Sequence, residues 1–312
     1  MEADRYLYFN TLNLPDTSLV TIDLLGHQLQ FSQDPNSNHL GTTVWDASMV
    51  FAKYLERNSR KGRFCLSKLK GKRVIELGAG CGVASFGMAM LGCEVVTTDQ
   101  KEVLPLLQRN VERNISRIMQ ANANSDSFGS IKVVELDWGN KDHIQAVDPP
   151  YDFVIGTDVV YAEHLLDPLL QTICALSGPR TTTVLGYEIR STSVHEQMLQ
   201  MWKSNFDVKT VPRTKMDIKY QHPSIQLYLM EPKCSGNGLA ADHIKNQASE
   251  SVERGCSQTR DGTTSRVDEV ESEKDNRGCS SATGLTNQEL TDWEVRRCGA
   301  MAARLLRDVK IN

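Results

Sequence analysis

A chain of 312 residues, 40% of them apolar and most of those before about residue 231, holds enough hydrophobic material for one large core. The formal net charge of -4 and the lack of a basic stripe argue against nucleic acid as the main partner. The opening MEADRYLYFN has no leader pattern, no run reaches the ~18 apolar residues of a membrane span, and the eight cysteines show no CxxC spacing, so a soluble chain of the cytoplasm or also the nucleus is expected, with no membrane partner.

Residues 18–32 (SLVTIDLLGHQLQFS) predict two short strands joined at Gly26-His27, a hairpin ahead of the main domain. In the following stretch Val44, Ala47, Phe51 and Leu55 share one helical face, with Thr42 or Thr43 placed to cap its start. Trp45 begins that helix, either as a packing residue or as an aromatic that closes over a ligand.

Residues 73–99 read as strand, glycine turn, helix, strand. The apolar residues of 73–77 run without alternation, as a parallel strand covered on both faces requires. Gly78, Gly80 and Gly82 form the turn, the helix covers about 83–91, and a second strand at 94–98 ends on Asp99. A strand-end carboxylate there accepts from both hydroxyls of a ribose. A dinucleotide site wants G-x-G-x-x-G, whereas here the third glycine comes one residue early and position 83 is Val. Glu76 just before the turn would repel a diphosphate and suit a cation. S-adenosylmethionine (SAM), with a sulfonium, an α-ammonium and no phosphate, is the cofactor this set points to.

Beyond the cradle, Val103, Leu107, Val111 and Ile115 predict a helix, and 121–130 a polar loop. A third strand runs through 131–138 into Asp137 and Trp138. Asp137 is placed to accept from an adenine amino group, and Trp138 either stacks on the purine or packs as ordinary core. After the Pro149-Pro150 loop, a fourth strand leads into Asp158 and Tyr161. A helix at 164–176, a strand at 181–190, a helix at 191–206 and two final strands complete an α/β pattern.

From Lys233 the composition turns polar. The division expected is a domain over 1–232, an unfolded linker over 233–284, and an amphipathic helix over 285–312. In the last piece Leu290, Trp293, Cys298, Met301, Leu305 and Val309 share a face, and Thr286 with Glu289 fits a capping box. That helix docks either on the domain or on a partner.

The joint pattern of VIELGAGCG, Asp99, Leu136-Asp137-Trp138 and Asp158-Val159-Val160-Tyr161, with Val44-Trp45-Asp46-Ala47 ahead of it, resembles the seven-β-strand methyltransferases. Within them it is similar to methyltransferase family 16, the non-SET protein lysine methyltransferases, over roughly residues 19–230. The resemblance implies a seven-stranded Rossmann-like SAM-dependent methyltransferase sheet, here with an N-terminal hairpin extension. It implies SAM contacts at Trp45, Gly78, Ala79, Gly80, Asp99, Trp138 and Thr157, with Asp158 and Tyr161 facing a substrate lysine. Cys81 stands where other members often carry Thr or Ser. Tyr187 to Arg190, Val211-Pro212, Lys215, Asp217, Tyr220 and the closing IQLYL resemble the branch that modifies the valosin-containing AAA ATPase, so the implied partner is a protein lysine, with a AAA ATPase or chaperone as its bearer.

The chemistry implied is attack by a neutral amine on a sulfonium methyl. Free lysine has a pKa of about 10.4, so a proton must leave first. Asp158 would orient the amine and Tyr161 shape the channel, unless Asp158 is only an N-cap of the helix that follows it. Other readings are a small-molecule methyltransferase, which favours an enclosed pocket, a SAM-binding interaction protein without turnover, and, weakest, a nicotinamide dehydrogenase.

Overall fold

The computed structural model describes residues 18–121, 128–233, 293, 296 and 297. Strands β1 (Leu19–Leu24) and β2 (His27–Ser32) form the expected antiparallel hairpin, with Val20, Ile22, Leu24, Leu29 and Phe31 alternating into the core. Helix α1 (Asp46–Asn58) and the short α2 (Leu66–Leu69) lead to β3 (Arg73–Leu77). Then come α3 (Val83–Ala89), β4 (Glu94–Asp99), α4 (Leu104–Ala121), β5 (Ser130–Glu135), α5 (Lys141–Ala146) and β6 (Tyr151–Thr157). Helix α6 (Leu166–Leu176), β7 (Ser177–Glu188), α7 (Thr192–Asn205), β8 (Phe206–Thr210) and β9 (Ile225–Pro232) follow.

The main sheet has seven strands in the order β5-β4-β3-β6-β7-β9-β8. Pairs from β5 to β7 are parallel, and β9 runs antiparallel to both β7 and β8. Chain direction across the sheet reverses between β3 and β6, so the loops after these two strands diverge and leave a crevice at their carboxyl ends. The unalternating β3 is explained by burial on both faces. Val74 belongs to the core under the hairpin, α1 and α3, while Ile75 belongs to the core under α6 and α7.

The hairpin is fastened by side chains where a neighbouring strand is missing. Asn110 and Asn114, one turn apart on α4 and fully buried, each accept from and donate to the β2 backbone. Asn114 pairs with the N–H and C=O of Gln30 at 2.8 and 2.9 Å, and Asn110 with those of Ser32 at the same distances. Edge groups that water would otherwise satisfy are thereby paired inside the domain. This sets the exit of β2, from which residues 33–44 run over the glycine turn.

Two local expectations are corrected. The N-cap of α1 is Trp45, not Thr42 or Thr43, and it caps with no side chain of its own. Thr42 instead holds the preceding loop, donating to the carbonyls of Asp34 or His39 at 2.8 and 2.7 Å. Asp137 and Trp138 lie in the loop after β5, because the strand stops at Glu135. Of the expected terminal helix, Trp293, Arg296 and Arg297 are described and belong to the same compact unit as the sheet. Leu290, Cys298, Met301, Leu305, Val309 and the Thr286–Glu289 box lie outside the described residues, as does the expected linker after Lys233.

Candidate active site

At the end of β3 the chain turns over Gly78, Gly80 and Gly82, all at positive φ. The turn is tied down from β4: Ala79 N–H donates to Thr98 O at 2.9 Å, and Gly80 N–H donates to Asp99 Oδ2 at 2.7 Å. A Cβ on Gly80 would lie 2.9 Å from Gly41 O, and one on Gly78 would lie 2.9 Å from Val159 Cγ1 and 3.1 Å from Trp138 Cζ2. Bare backbone is therefore required where the turn meets the strand-end loops and the 38–44 segment.

These parts enclose a cavity of about 390 Å³ at the switch point of the sheet. Ten of the eleven expected site residues line it: Trp45, Gly78, Ala79, Gly80, Asp99, Asp137, Trp138, Thr157, Asp158 and Tyr161. The eleventh, Glu76, does not. Strand alternation sends its side chain, like that of Val74, toward α3 rather than into the crevice. Glu76 is fully buried, Oε2 accepts from Ser85 Oγ, and Oε1 has no hydrogen-bond partner among the described residues. Burial pushes its carboxyl up to about 8, so at neutral pH it is mostly uncharged. Glu76 supports the turn from behind and makes no wall for a cation.

Asp99 is buried, with Oδ2 on Gly80 N–H and Oδ1 on Gln100 N–H at 2.8 Å. Burial pushes its pKa up, and the two backbone donors oppose that rise. Each oxygen keeps a lone pair for a further donor. A carboxylate so fixed, an indole beside bare backbone and a crevice with no Lys or Arg among the described lining residues suit an adenosine with unphosphorylated ribose. The residues present fit SAM.

Asp158 has φ 57, an uncommon conformation for a residue with a side chain and one that collects at functional sites. Its Oδ1 accepts from Glu188 N–H at 2.9 Å and from Arg190 Nη1 at 3.1 Å, and its Oδ2 accepts from Ala47 N–H at 3.2 Å. Asp158 is thus no cap of the helix after it, since α6 begins eight residues on with Leu165 as its N-cap. It serves instead the first turn of α1, from just past the carboxyl end of β6. Burial pushes its carboxyl up, while Arg190 holds it down. Tyr161 stands at the cavity mouth, 42% exposed, and burial together with the Asp99 charge pushes its phenol above the ordinary range.

Sequence reasoning missed the covering segment, where Asn38, His39, Leu40, Gly41, Thr43 and Val44 line the cavity. No periodicity marks such a loop; a lone Gly41 over the turn was the available sign. Trp45 Nε1 donates to Leu40 O at 2.9 Å, which fixes indole and loop together. Arg190, noted only as part of a motif, stacks its guanidinium 4.9 Å from the Trp45 ring centre while reaching Asp158.

Residues 24–205 match a family model described as lysine methyltransferase. Protein N-lysine methyltransferase METTL21A of Danio rerio is 35% identical over 188 residues, covering 60% of this chain and 78% of that protein. The METTL21A of Mus musculus is 33% identical over 173 residues, 55% of this chain and 72% of that one. EEF1A lysine methyltransferase 3 of Xenopus tropicalis is 33% identical over 166 residues, 53% and 66% of the two chains.

Proposed function

The chain belongs to the lysine methyltransferase family, and from that premise we propose that its substrate is a lysine of a AAA ATPase or chaperone, presented at the mouth beside Asp158 and Tyr161. The observation that carries the reading is the Asp158 carboxylate, held by donors on α1, at the end of β7 and in the loop after β7, and still on the cavity wall. The sequence features at 187–190, 211–220 and 225–229 support the choice of substrate class. An open mouth supports a macromolecule over a small molecule: Leu40 and Tyr161, both lining the cavity, are 52% and 42% exposed.

SAM supplies an electrophilic methyl group when bound. Asp99 would accept from the ribose hydroxyls, Trp138 would face the adenine, and the glycine turn would let the cofactor pass close to backbone; their common place on the cavity wall supports this. Asp158 accepts from the lysine ε-amine and points its lone pair into the cavity. Burial pushes the Asp158 carboxyl up while Arg190 holds it down; its part is to orient the amine, the lysine proton leaves to water at the mouth, and catalysis rests on orientation. The Tyr161 hydroxyl stays protonated and shapes the entrance. The described cysteines Cys65, Cys81, Cys93 and Cys174 are free thiols, which supports action in the cytoplasm or nucleus.

The test is labelled SAM with the full chain in extract from cells lacking it, the labelled band being identified by mass. Label on a lysine of a AAA ATPase or chaperone is expected; label on another protein overturns the substrate class, and label confined to small molecules overturns the lysine assignment. Asp158→Asn is expected to keep SAM affinity and to lose about tenfold or more in transfer, since a hydrogen bond to a charged group is worth roughly 1.5–3 kcal/mol. Its amide also sets N–H against the N–H of Ala47 or of Glu188, so the melting temperature should drop as well. Wild-type transfer by that variant would remove Asp158 from the chemistry.

A further inference from the structure

Beside the cavity, and lining none of it, lies a second constellation. Asp46 in the first turn of α1 and Glu188 at the end of β7 meet Arg296 and Arg297, which come from some 250 residues and 109 residues along the chain. Arg297 forks between them: Nη1 donates to Asp46 Oδ2 at 2.7 Å and Nη2 to Glu188 Oε1 at 2.8 Å. Arg296 donates from Nε to Asp46 Oδ1 at 3.0 Å and from Nη2 to Val44 O. Glu188 also accepts from Arg190 Nη2 at 3.2 Å and from Ser224 Oγ at 3.0 Å.

This is no surface ion pair. The side chains of Asp46, Asp158, Glu188, Arg296 and Arg297 are each less than a tenth exposed. Trp293 seats the segment, its ring 5.1 Å from that of Tyr220 and the Arg297 guanidinium 5.8 Å from its centre. With Arg190 counted, three carboxylates face three guanidiniums. Two of those cations are supplied from beyond residue 290, and a buried carboxylate that loses its partner is strongly unfavourable.

The network reaches Asp158 by two routes. On one side, Asp46 precedes Ala47, whose N–H is held by Asp158 Oδ2. On the other, Glu188 offers its N–H to Asp158 Oδ1 and holds Arg190 against the same oxygen. Arg297 is the group that binds both sides at once. We propose that Arg297 is a positioning residue for methyl transfer: by bridging α1 and β7 it fixes the donors that aim Asp158 into the cavity. The inference rests on the reading of Asp158 as the group that orients the lysine amine. Since Arg297 does not line the cavity, it acts on geometry and obstructs nothing.

The experiment uses full-length protein with tritiated SAM on one extract lacking the enzyme, and compares wild type, Arg297→Met and the double variant Arg297→Met with Glu188→Gln. Methionine keeps the apolar stem, the second change removes the charge of a carboxylate that has lost one of its two guanidinium partners, and Glu188→Gln alone is run as the control for its hold on Arg190. Initial rate of label into protein, SAM affinity by calorimetry, and melting temperature are read, with assays well below every melting point. Arg297→Met is expected to lose about tenfold in rate through coupling within one hydrogen-bonded network, at nearly unchanged SAM affinity. The double variant is expected to recover melting temperature and not rate. Recovery of both, or an Arg297→Met rate equal to wild type, means the contact is merely structural and overturns the proposal; a higher rate overturns it too, marking the segment as a brake. Wild-type protein that labels no protein lysine overturns the underlying reading instead, and this inference with it.

Discussion

Asp99→Ala removes a carboxylate that performs two tasks, and the two are separable by measurement. Toward the protein, Asp99 accepts from Gly80 N–H at 2.7 Å and Gln100 N–H at 2.8 Å. An orphaned buried N–H costs about 1–3 kcal/mol. Part of that is offset, because burial already works against the ionised carboxylate. A net stability loss near the low end follows, which at roughly 2–4 °C per kcal/mol for a domain of this size leaves the fold intact. Toward the cofactor, the loss is of hydrogen bonds from ribose hydroxyls to a charged acceptor, worth about 1.5–3 kcal/mol together. Affinity for SAM should therefore fall by about ten- to a hundredfold, at 1.4 kcal/mol per factor of ten. Titration calorimetry with SAM, paired with a circular dichroism melt, reads both quantities on one sample. A folded Asp99→Ala protein that binds SAM as tightly as wild type would refute the ribose assignment.

Two further outcomes follow from the turn itself. Glu76 holds its proton up to about 8 in the folded state, against an ordinary value of 4.5, so between those pH values the folded chain binds a proton that the unfolded chain has released. Stability contributed by this group falls as pH rises across that window and levels off above it, so Glu76→Gln should gain on wild type from pH 5 to pH 8, with a ceiling of about 5 kcal/mol; parallel melting curves over that range would contradict the burial argument. Gly80→Ala places a Cβ 2.9 Å from Gly41 O at φ +58, so it should displace the covering segment and weaken SAM binding by about tenfold, at a stability cost of roughly 1–3 kcal/mol; normal SAM affinity would show that the segment is not part of the cofactor site.

Local spacing along the chain was enough to read the cofactor turn and the hairpin. Uninterrupted apolar residues at 73–77, glycines at every second position from 78, and an acid closing the next strand specify strand, bare turn and strand-end carboxylate within 27 residues. Alternation at 18–32 specified the hairpin in the same way. Ten of the eleven expected site residues reach one cavity because each sits at, or a few residues past, a strand's carboxyl end or at the start of α1, places that local pattern can mark. Tertiary structure decided the rest. Strand parity turned Glu76 inward, an unpatterned loop at 38–44 became a wall, and Asp158 found its donors on α1 and β7 rather than on the helix after it. Arg296 and Arg297 carry no local mark within the amphipathic helix expected over 285–312, yet meet Asp46 across some 250 residues. Periodicity carries information over one turn or one strand. Which distant charges meet depends on the order of the sheet, where β6 lies between β3 and β7, and on the desolvation that makes a buried carboxylate demand a cation wherever in the chain one can be supplied.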